Sequence, residues 1–120
     1  MYADYSYYTD TYLGRIITSE QDFNYFGGLA CDEMNKYAVI STLDTTKESI
    51  STDLKRCQCR MGDIVSEASK KAGISSESVN GYYTVAYQVL TTEEVKKQLS
   101  DAIRTYLGKY IYRPVRNIIY

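Results

Sequence analysis

The 120-residue sequence contains no histidine, no tryptophan and a single proline. Histidine is the usual general base near neutral pH and a common metal ligand. Its absence excludes Ser-His-Asp and Cys-His catalysis and histidine-ligated metal sites. No apolar run approaches the roughly 20 residues of a membrane span, and the first residues lack the basic and apolar segments of a secretory signal. We therefore expect no membrane contact and no export by a signal peptide.

The three cysteines do not form a metal-binding pattern. Cys57 and Cys59 are separated by one residue, and such positions point about 200° apart on a helix. Cys31 is the one further cysteine, and a metal site needs more ligands. We interpret Cys57 as a core residue and Cys59 as an outward-facing residue, both reduced in a cytoplasm.

Other catalytic patterns are also weak. The Gly27-Gly28 pair lacks the Lys-Ser/Thr partner of a phosphate-binding loop, and we interpret it as a bend or a close helix crossing. The acidic pairs Asp32-Glu33 and Glu93-Glu94 lie at predicted helix surfaces or caps. The sequence thus indicates a protein that is not an enzyme, with no catalytic residue, no metal and no cofactor.

The charges are balanced overall but unevenly placed. The net charge is −1, which excludes a strongly basic nucleic-acid binder. Residues 1–35 carry six acids and one base, whereas residues 102–120 carry four bases and no acid. This segregation is either chance or a pair of complementary ends that meet within one chain or between subunits. Lys55, Arg56 and Arg60 form a short basic face, either solvated or in contact with phosphate or a neighbour's acidic arm.

Apolar residues at steps of three and four predict three amphipathic helices, over residues 19–41, 52–72 and 92–107. Thr18 with Gln21, or Ser19 with Asp22, caps the first helix, and Thr91 with Glu94 caps the third. Gly108 ends the third helix. The predicted core comprises Phe23, Phe26, Ala30, Met34, Leu54, Cys57, Met61, Ile64, Val65, Ala68, Val95, Leu99, Ala102 and Ile103.

Asn80-Gly81 predicts a type I′ turn in a β-hairpin over residues 77–87. Residues 1–18 form an N-terminal arm without a clean period, and residues 109–120 form an extended C-terminal arm, stiffened by Pro114. The sequence therefore predicts one mainly α domain over residues 1–120. It consists of a small bundle of about three helices (19–108), one hairpin and extended terminal arms.

Fourteen tyrosines, five of them in the first twelve positions, favour contacts with other proteins, because tyrosine is enriched at interfaces. The C-terminal arm combines apolar anchors with cations, and we expect it to dock on a partner; the alternative is that it folds back over its own helices, in which case its deletion should lower stability sharply. A chain that ends at Gly108 should then keep its stability. The candidate protein-interface residues are Tyr110, Ile111, Tyr112, Arg113, Val115, Arg116, Ile118, Ile119, Tyr82, Tyr83, Tyr5 and Tyr8.

Three stretches of the sequence are similar to one family. ISSESVNGYYTVAY (74–87), AIRTYLGKYIYRPV (102–115) and the opening YADYSYYTDTYLG (2–14), followed by an acid-rich helix start with Phe23, resemble tailed-phage head–tail connector proteins. These are small head-completion adaptors of phages and prophages of Gram-positive bacteria. The family commonly has a glycine pair after Tyr-Leu, whereas this chain has Gly108-Lys109.

The resemblance implies a structural virion protein, made in the bacterial host cytoplasm, that forms a ring under the portal. Its partners would be the portal protein, neighbouring copies of itself and the next connector or tail protein. DNA would pass through the ring without sequence-specific binding. The alternatives are a non-enzymatic protein-binding or regulatory module of a mobile element, and a nucleic-acid-binding protein.

Overall fold

The computed structural model describes residues 1–72, 86 and 88–111. Within those ranges the chain forms helices and no strand, which confirms the mainly α class. We number the α-helices in chain order, and a 3₁₀ helix lies between the second and the third. The elements are α1 (Tyr5–Asp10), α2 (Glu20–Asn35), the 3₁₀ helix (Ala38–Thr42), α3 (Glu48–Lys71) and α4 (Glu93–Ile111).

Helix α3 is the centre of the bundle, because α2 and α4 both pack along it. Asp53 near the start of α3 contacts Tyr110 near the end of α4, so these two helices run antiparallel. The predicted core is confirmed: thirteen of its fourteen residues are buried in one cluster, and Ala68 packs against that cluster half-buried. Removal of apolar surface from water is the main stabilising contribution here.

The helices α2 and α3 approach each other at a pair of glycines. A Cβ atom placed on Gly62 would lie 3.7 Å from the backbone nitrogen of Gly27 and 3.8 Å from its Cα atom. Both glycines are buried. Of the two interpretations of the Gly27-Gly28 pair, the structure supports the close crossing, and it assigns that crossing to Gly27.

The observed ends of α2 differ from the predicted ones. Ser19 is the N-cap, and its hydroxyl accepts a hydrogen bond from the backbone N–H of Asp22 at 3.1 Å, so the Ser19–Asp22 alternative is the correct one. The helix ends at Asn35 instead of residue 41. The chain turns extended at Tyr37 and continues as the 3₁₀ helix. The β-branched residues of the 3₁₀ segment weaken its preference for an α-helix, which explains why α2 ends earlier than predicted.

Helices α3 and α4 are both longer than predicted. The structure starts α3 at Glu48 instead of residue 52 and extends α4 to Ile111, three residues past Gly108. Gly108 is buried inside α4 and does not end it. The cap of α4 is Thr92 instead of Thr91, because the Thr92 hydroxyl accepts a hydrogen bond from the backbone N–H of Val95 at 3.4 Å.

The predicted β-hairpin finds no support. Residues 77–85 and 87 lie outside the described residues, and Ala86, the one described position within the prediction, is helical and fully buried. Ala86 and Val89 belong to the same apolar cluster as the three long helices. This part of the connection between α3 and α4 therefore contributes to the core.

Truncation of a core leucine tests the packing of α4. Leu99 is 5% exposed, and Leu99→Ala should lower the free energy of unfolding by about 2–5 kcal/mol, as buried leucine truncations do. The exposed neighbour Gln98 provides the control, since Gln98→Ala should change it by about 0.5 kcal/mol or less. Urea denaturation measures both. Equal midpoints for the two variants would contradict this placement of Leu99.

Candidate functional site

One face of α3 carries buried polar residues and not the apolar side chains of a core. Gln58, Asp63, Ser66 and Ser69 are all 3% exposed or less. Buried polar groups are costly unless they form hydrogen bonds. The N-terminal arm supplies the partners of Gln58 and Asp63, whereas the Ser69 hydroxyl donates to the Val65 carbonyl of its own helix at 2.8 Å. The Ser66 hydroxyl has no hydrogen-bond partner among the described residues. The arm is therefore an integral layer of the fold.

Gln58 holds the first residues of the arm. Its side-chain carbonyl oxygen accepts hydrogen bonds from the backbone N–H groups of Tyr2 at 2.7 Å and Ala3 at 2.8 Å. Its amide nitrogen donates to the backbone carbonyl of Ala3 at 3.1 Å. One glutamine thus satisfies three backbone groups of a segment that has no helix or strand partner at this point.

Tyr8 connects α1 to α3 at the other end of the arm. Its side chain is completely buried, and its hydroxyl donates a hydrogen bond to the Asp63 carboxylate at 2.6 Å. The same oxygen accepts bonds from the backbone N–H groups of Ile16 at 3.1 Å and Ile17 at 2.9 Å. Burial raises the pKa of both Tyr8 and Asp63. The Tyr8 hydroxyl thus links α3 to the residues that follow the turn after α1.

The turn after α1 is tightly constrained. The backbone N–H of Gly14 donates to the carbonyl of Tyr8 at 2.8 Å. A Cβ atom on Gly14 would lie 2.2 Å from the Tyr8 ring, so no larger residue fits there without a shift of the ring. Leu13, immediately before it, has a φ of 63°, in the left-handed region that leucine rarely adopts. Its side chain is 63% exposed.

Cys59 is a core residue, which corrects its prediction as an outward-facing one. Its exposure is 0%, the same as that of Cys57. Burial raises the pKa of each thiol to about 12. Both cysteines are therefore protonated near neutral pH and are poor nucleophiles and poor metal ligands.

Two residues of the predicted basic face of α3, Lys55 and Arg60, have different surroundings. The Lys55 ammonium lies 5.3 Å from the centre of the Tyr7 ring in the chain's own arm, a distance suited to a cation–π contact. Arg60 is exposed and lines a groove between α3 and α4. Lys55 thus contacts the arm of its own chain, while Arg60 stays at the surface.

The last turn of α4 is fixed to the first half of α3 by one carboxylate. Asp53 accepts a hydrogen bond from the Tyr110 hydroxyl at 2.7 Å and pairs with the Lys109 ammonium at 3.0 Å. The hydrogen bond to Asp53 raises the pKa of Lys109, and burial raises the pKa of Tyr110. We call these three residues the Asp53 cluster. It holds the last turn of α4 against α3.

The structure describes the side chains of three predicted interface residues, Tyr5, Tyr8 and Tyr110. Tyr8 is buried within the chain, which corrects its assignment to a surface, and Tyr5 packs half-buried beside it with ring centres 6.2 Å apart. Tyr110 belongs to the Asp53 cluster. Ile111 ends α4, and its side chain lies outside the described part of the structure. The same holds for Tyr82, Tyr83, Tyr112, Arg113, Val115, Arg116, Ile118 and Ile119.

The geometry shows no metal centre in residues 1–72, 86 and 88–111, where no three Cys, Asp or Glu side chains are grouped around a common point. None of the helices described is long and apolar enough to cross a membrane. Comparisons with protein-family models, curated proteins and solved structures find no significant match to the chain.

Removal of the Tyr8 hydroxyl tests whether it holds the arm. Tyr8→Phe leaves the Asp63 carboxylate and the buried Ile17 N–H without this partner, and it should lower the free energy of unfolding by about 2–4 kcal/mol. Tyr5→Phe is the matched control, because the Tyr5 ring packs beside Tyr8 without a hydroxyl hydrogen bond in the described structure. Thermal and urea unfolding measure the loss of stability in both variants. Equal losses would contradict the role of the Tyr8 hydroxyl in holding the arm.

The Asp63 carboxyl predicts a particular pH dependence. Burial raises its pKa in the folded chain, so the folded state holds this proton over a range in which the unfolded state, with a pKa of about 3.9, has released it. The group's contribution to stability is fully present below that value and is lost as the pH rises through the raised pKa. Asp63→Asn abolishes this titration.

The free energies of unfolding of the wild-type protein and Asp63→Asn, measured from about pH 3 to pH 7, provide the test. The wild-type protein should lose stability relative to the variant as the pH rises, and the difference should then level off. Arg60, Glu67 and Lys70 surround Asp63 in both proteins and do not account for a difference. A difference that stays constant with pH would contradict the prediction.

Proposed function

We propose that this chain is a structural virion protein, a head–tail connector adaptor that forms a ring under the portal and joins the DNA-filled head to the tail. The resemblance of residues 2–14, 74–87 and 102–115 to that family motivates the proposal. Its partners are the portal protein, copies of itself and the next connector or tail protein. It works in the virion and is made in the host cytoplasm.

The observation that carries the proposal is the anchored last turn of α4. Helix α4 continues to Ile111, and the Asp53 cluster holds its last turn against α3. Residues 112–120, which include Arg113, Arg116 and the apolar Val115, Ile118 and Ile119, come next in the sequence. An adaptor needs a docking segment that leaves a rigid body at a defined point, and this arrangement suits such a segment.

The two ends of the chain differ in a way that fits an adaptor. The arm at residues 1–18 is held by Gln58 and Asp63 within its own chain. Its tyrosines are largely used in intrachain packing. The C-terminal segment is then the end available for a partner, and its basic and apolar composition suits an interface with an acidic rim and apolar pockets.

Truncation after Ile111 tests the proposal. A chain of residues 1–111 keeps the Asp53 cluster and should unfold at nearly the same midpoint as the full chain. It should fail to restore infectious particles when the gene is deleted from the phage or prophage that carries it. The expected product is filled or leaking heads without tails, seen by electron microscopy. Normal numbers of tailed particles would overturn the docking role of residues 112–120.

A chain that ends at Gly108 is the structural control. It loses Lys109 and Tyr110, and with them both contacts to Asp53, so its stability should fall below that of residues 1–111. This revises the sequence-based expectation for the Gly108 truncation.

The neighbouring genes distinguish an adaptor from a regulatory module. An adaptor gene is expected between portal and capsid genes on one side and tail genes on the other.

A further inference from the structure

The turn after α1 contains one strained residue. Leu13 has a φ of 63°, the one positive φ among the non-glycine residues that the structure describes. A leucine in this left-handed region is strained, and its side chain is 63% exposed, so the strain is not offset by burial of the leucine. Short connections under strain favour the exchange of identical segments between copies, because an open connection releases the strain.

The contacts that hold the first residues of the chain join partners on opposite sides of this turn. Gln58 bonds to the backbone of Tyr2 and Ala3. Asp63 accepts a hydrogen bond from the Tyr8 hydroxyl. All of these are non-covalent contacts between the chain before the turn and α3. They would form equally well if the two partners belonged to different copies.

Two further sets of contacts have the same property. The ring centres of Tyr5 and Tyr8 lie 5.8 Å and 5.1 Å from the ring centre of Phe23 in α2. Across the turn itself, the Tyr8 hydroxyl accepts a hydrogen bond from the Ile17 N–H at 2.9 Å, and the Gly14 N–H donates to the Tyr8 carbonyl at 2.8 Å. An exchange retains each of these contacts and changes only the path of the backbone through the strained residue.

The turn lies at the surface, where a second chain can reach it. Asp10, Thr11, Leu13 and Arg15 are all exposed. A backbone that enters or leaves at Leu13 therefore meets solvent and not packed core. This position suits a hinge between a segment that moves to another copy and a body that stays.

The strain shifts the balance between the closed and the exchanged form. A short tether gives the closed form an effective concentration in the mM range. Strain at one residue lowers this advantage by about tenfold, since an extended Leu13 in the exchanged form is unstrained. Exchange should then compete with the closed form at chain concentrations on the order of 0.1 mM. Copies held side by side in an assembly have a higher local concentration than that.

We propose that neighbouring copies of this chain exchange residues 1–12, so that this segment of one copy binds the face of α3 formed by Gln58 and Asp63 in the next. The inference deepens the proposed ring-forming adaptor and rests on it. In a ring, each copy gives its segment to one neighbour and receives a segment from the other, so every face is filled. Leu13 is the hinge, and its strain is released when the segment is given away.

Substitution of the hinge separates its backbone strain from its apolar side chain. Leu13→Asn and Leu13→Gln both replace the leucine by an amide, but asparagine adopts the left-handed region more readily than glutamine. Leu13→Asn should stabilise the closed turn and weaken self-association by about tenfold. Leu13→Gln keeps the strain and should associate like the wild-type chain. Sedimentation equilibrium at chain concentrations from about 0.01 to 1 mM measures the association.

Chemical crosslinking identifies which copy holds the segment. The Lys55 ammonium lies 5.3 Å from the centre of the Tyr7 ring, and a short bismaleimide is chosen that joins the two cysteines within a Tyr7→Cys/Lys55→Cys double variant. Chains with one of the two substitutions each are then refolded together at about 0.1 mM. All carry Cys31→Ser, because the other two cysteines are buried. The control mixture pairs Tyr7→Cys with Gln98→Cys, an exposed position on α4.

Exchange is supported if the Tyr7→Cys and Lys55→Cys chains crosslink above the control and the asparagine variant associates more weakly than the glutamine variant. Crosslinking between chains at the level of the control overturns it. Equal association of Leu13→Asn and Leu13→Gln also overturns it, because the strain of the turn then does not drive the contact.

These outcomes separate the exchange from the adaptor proposal. If crosslinking between chains stays at the control level and residues 1–111 still cannot complete heads, the exchange is wrong and the adaptor proposal stands. If the chains crosslink but residues 1–111 complete tailed particles, the exchange stands as a mode of self-association and the docking role of residues 112–120 is wrong.

Discussion

The hydrogen bond between Tyr8 and Asp63 is the contact on which the arrangement of this chain depends. It joins the N-terminal arm to the central helix, and through Ile16 and Ile17 it also fixes the path from α1 to α2. Without the arm, Gln58 and Asp63 of α3 would lose the hydrogen-bond partners that allow their burial. With the arm in place, α3 is enclosed on nearly all sides. The cost of burying Asp63 is offset by its hydrogen bond and by the aromatic rings that pack around Tyr8.

This arrangement gives the two ends of the chain different roles. The N-terminal arm completes the fold, and its tight turn leaves Leu13 as the one large apolar side chain that α1 and its turn expose. The C-terminal end is held until Ile111 by Asp53, and the basic and apolar segment follows. In the described part of the chain, both the first residues and the last turn of α4 are thus tied to α3.

The core was predictable because its residues recur at the helical spacing along α2, α3 and α4, and burial follows that spacing directly. The prediction of an outward-facing Cys59 is wrong because helical spacing separates it from Cys57 but does not show that both sides of α3 are covered. The N-terminal arm lacks periodicity, so its hydrogen bonds to Gln58 and Asp63 are visible only in three dimensions. Local preference predicts a helix end at Gly108, but Asp53, more than fifty residues away in sequence, holds the following turn in place.

The separation between Tyr8 and its partner also sets an order of events during synthesis. Asp63 lies 55 residues after Tyr8 in the chain. At about 5–20 residues per second, a ribosome reaches it roughly 3–11 seconds after it has made the arm. Until then the Tyr8 hydroxyl has no Asp63 to bind, and the tyrosines of residues 1–17 have not reached their native packing. Residues 1–17 are therefore made before the helix that holds them, and they reach their native contacts only once α3 has been made.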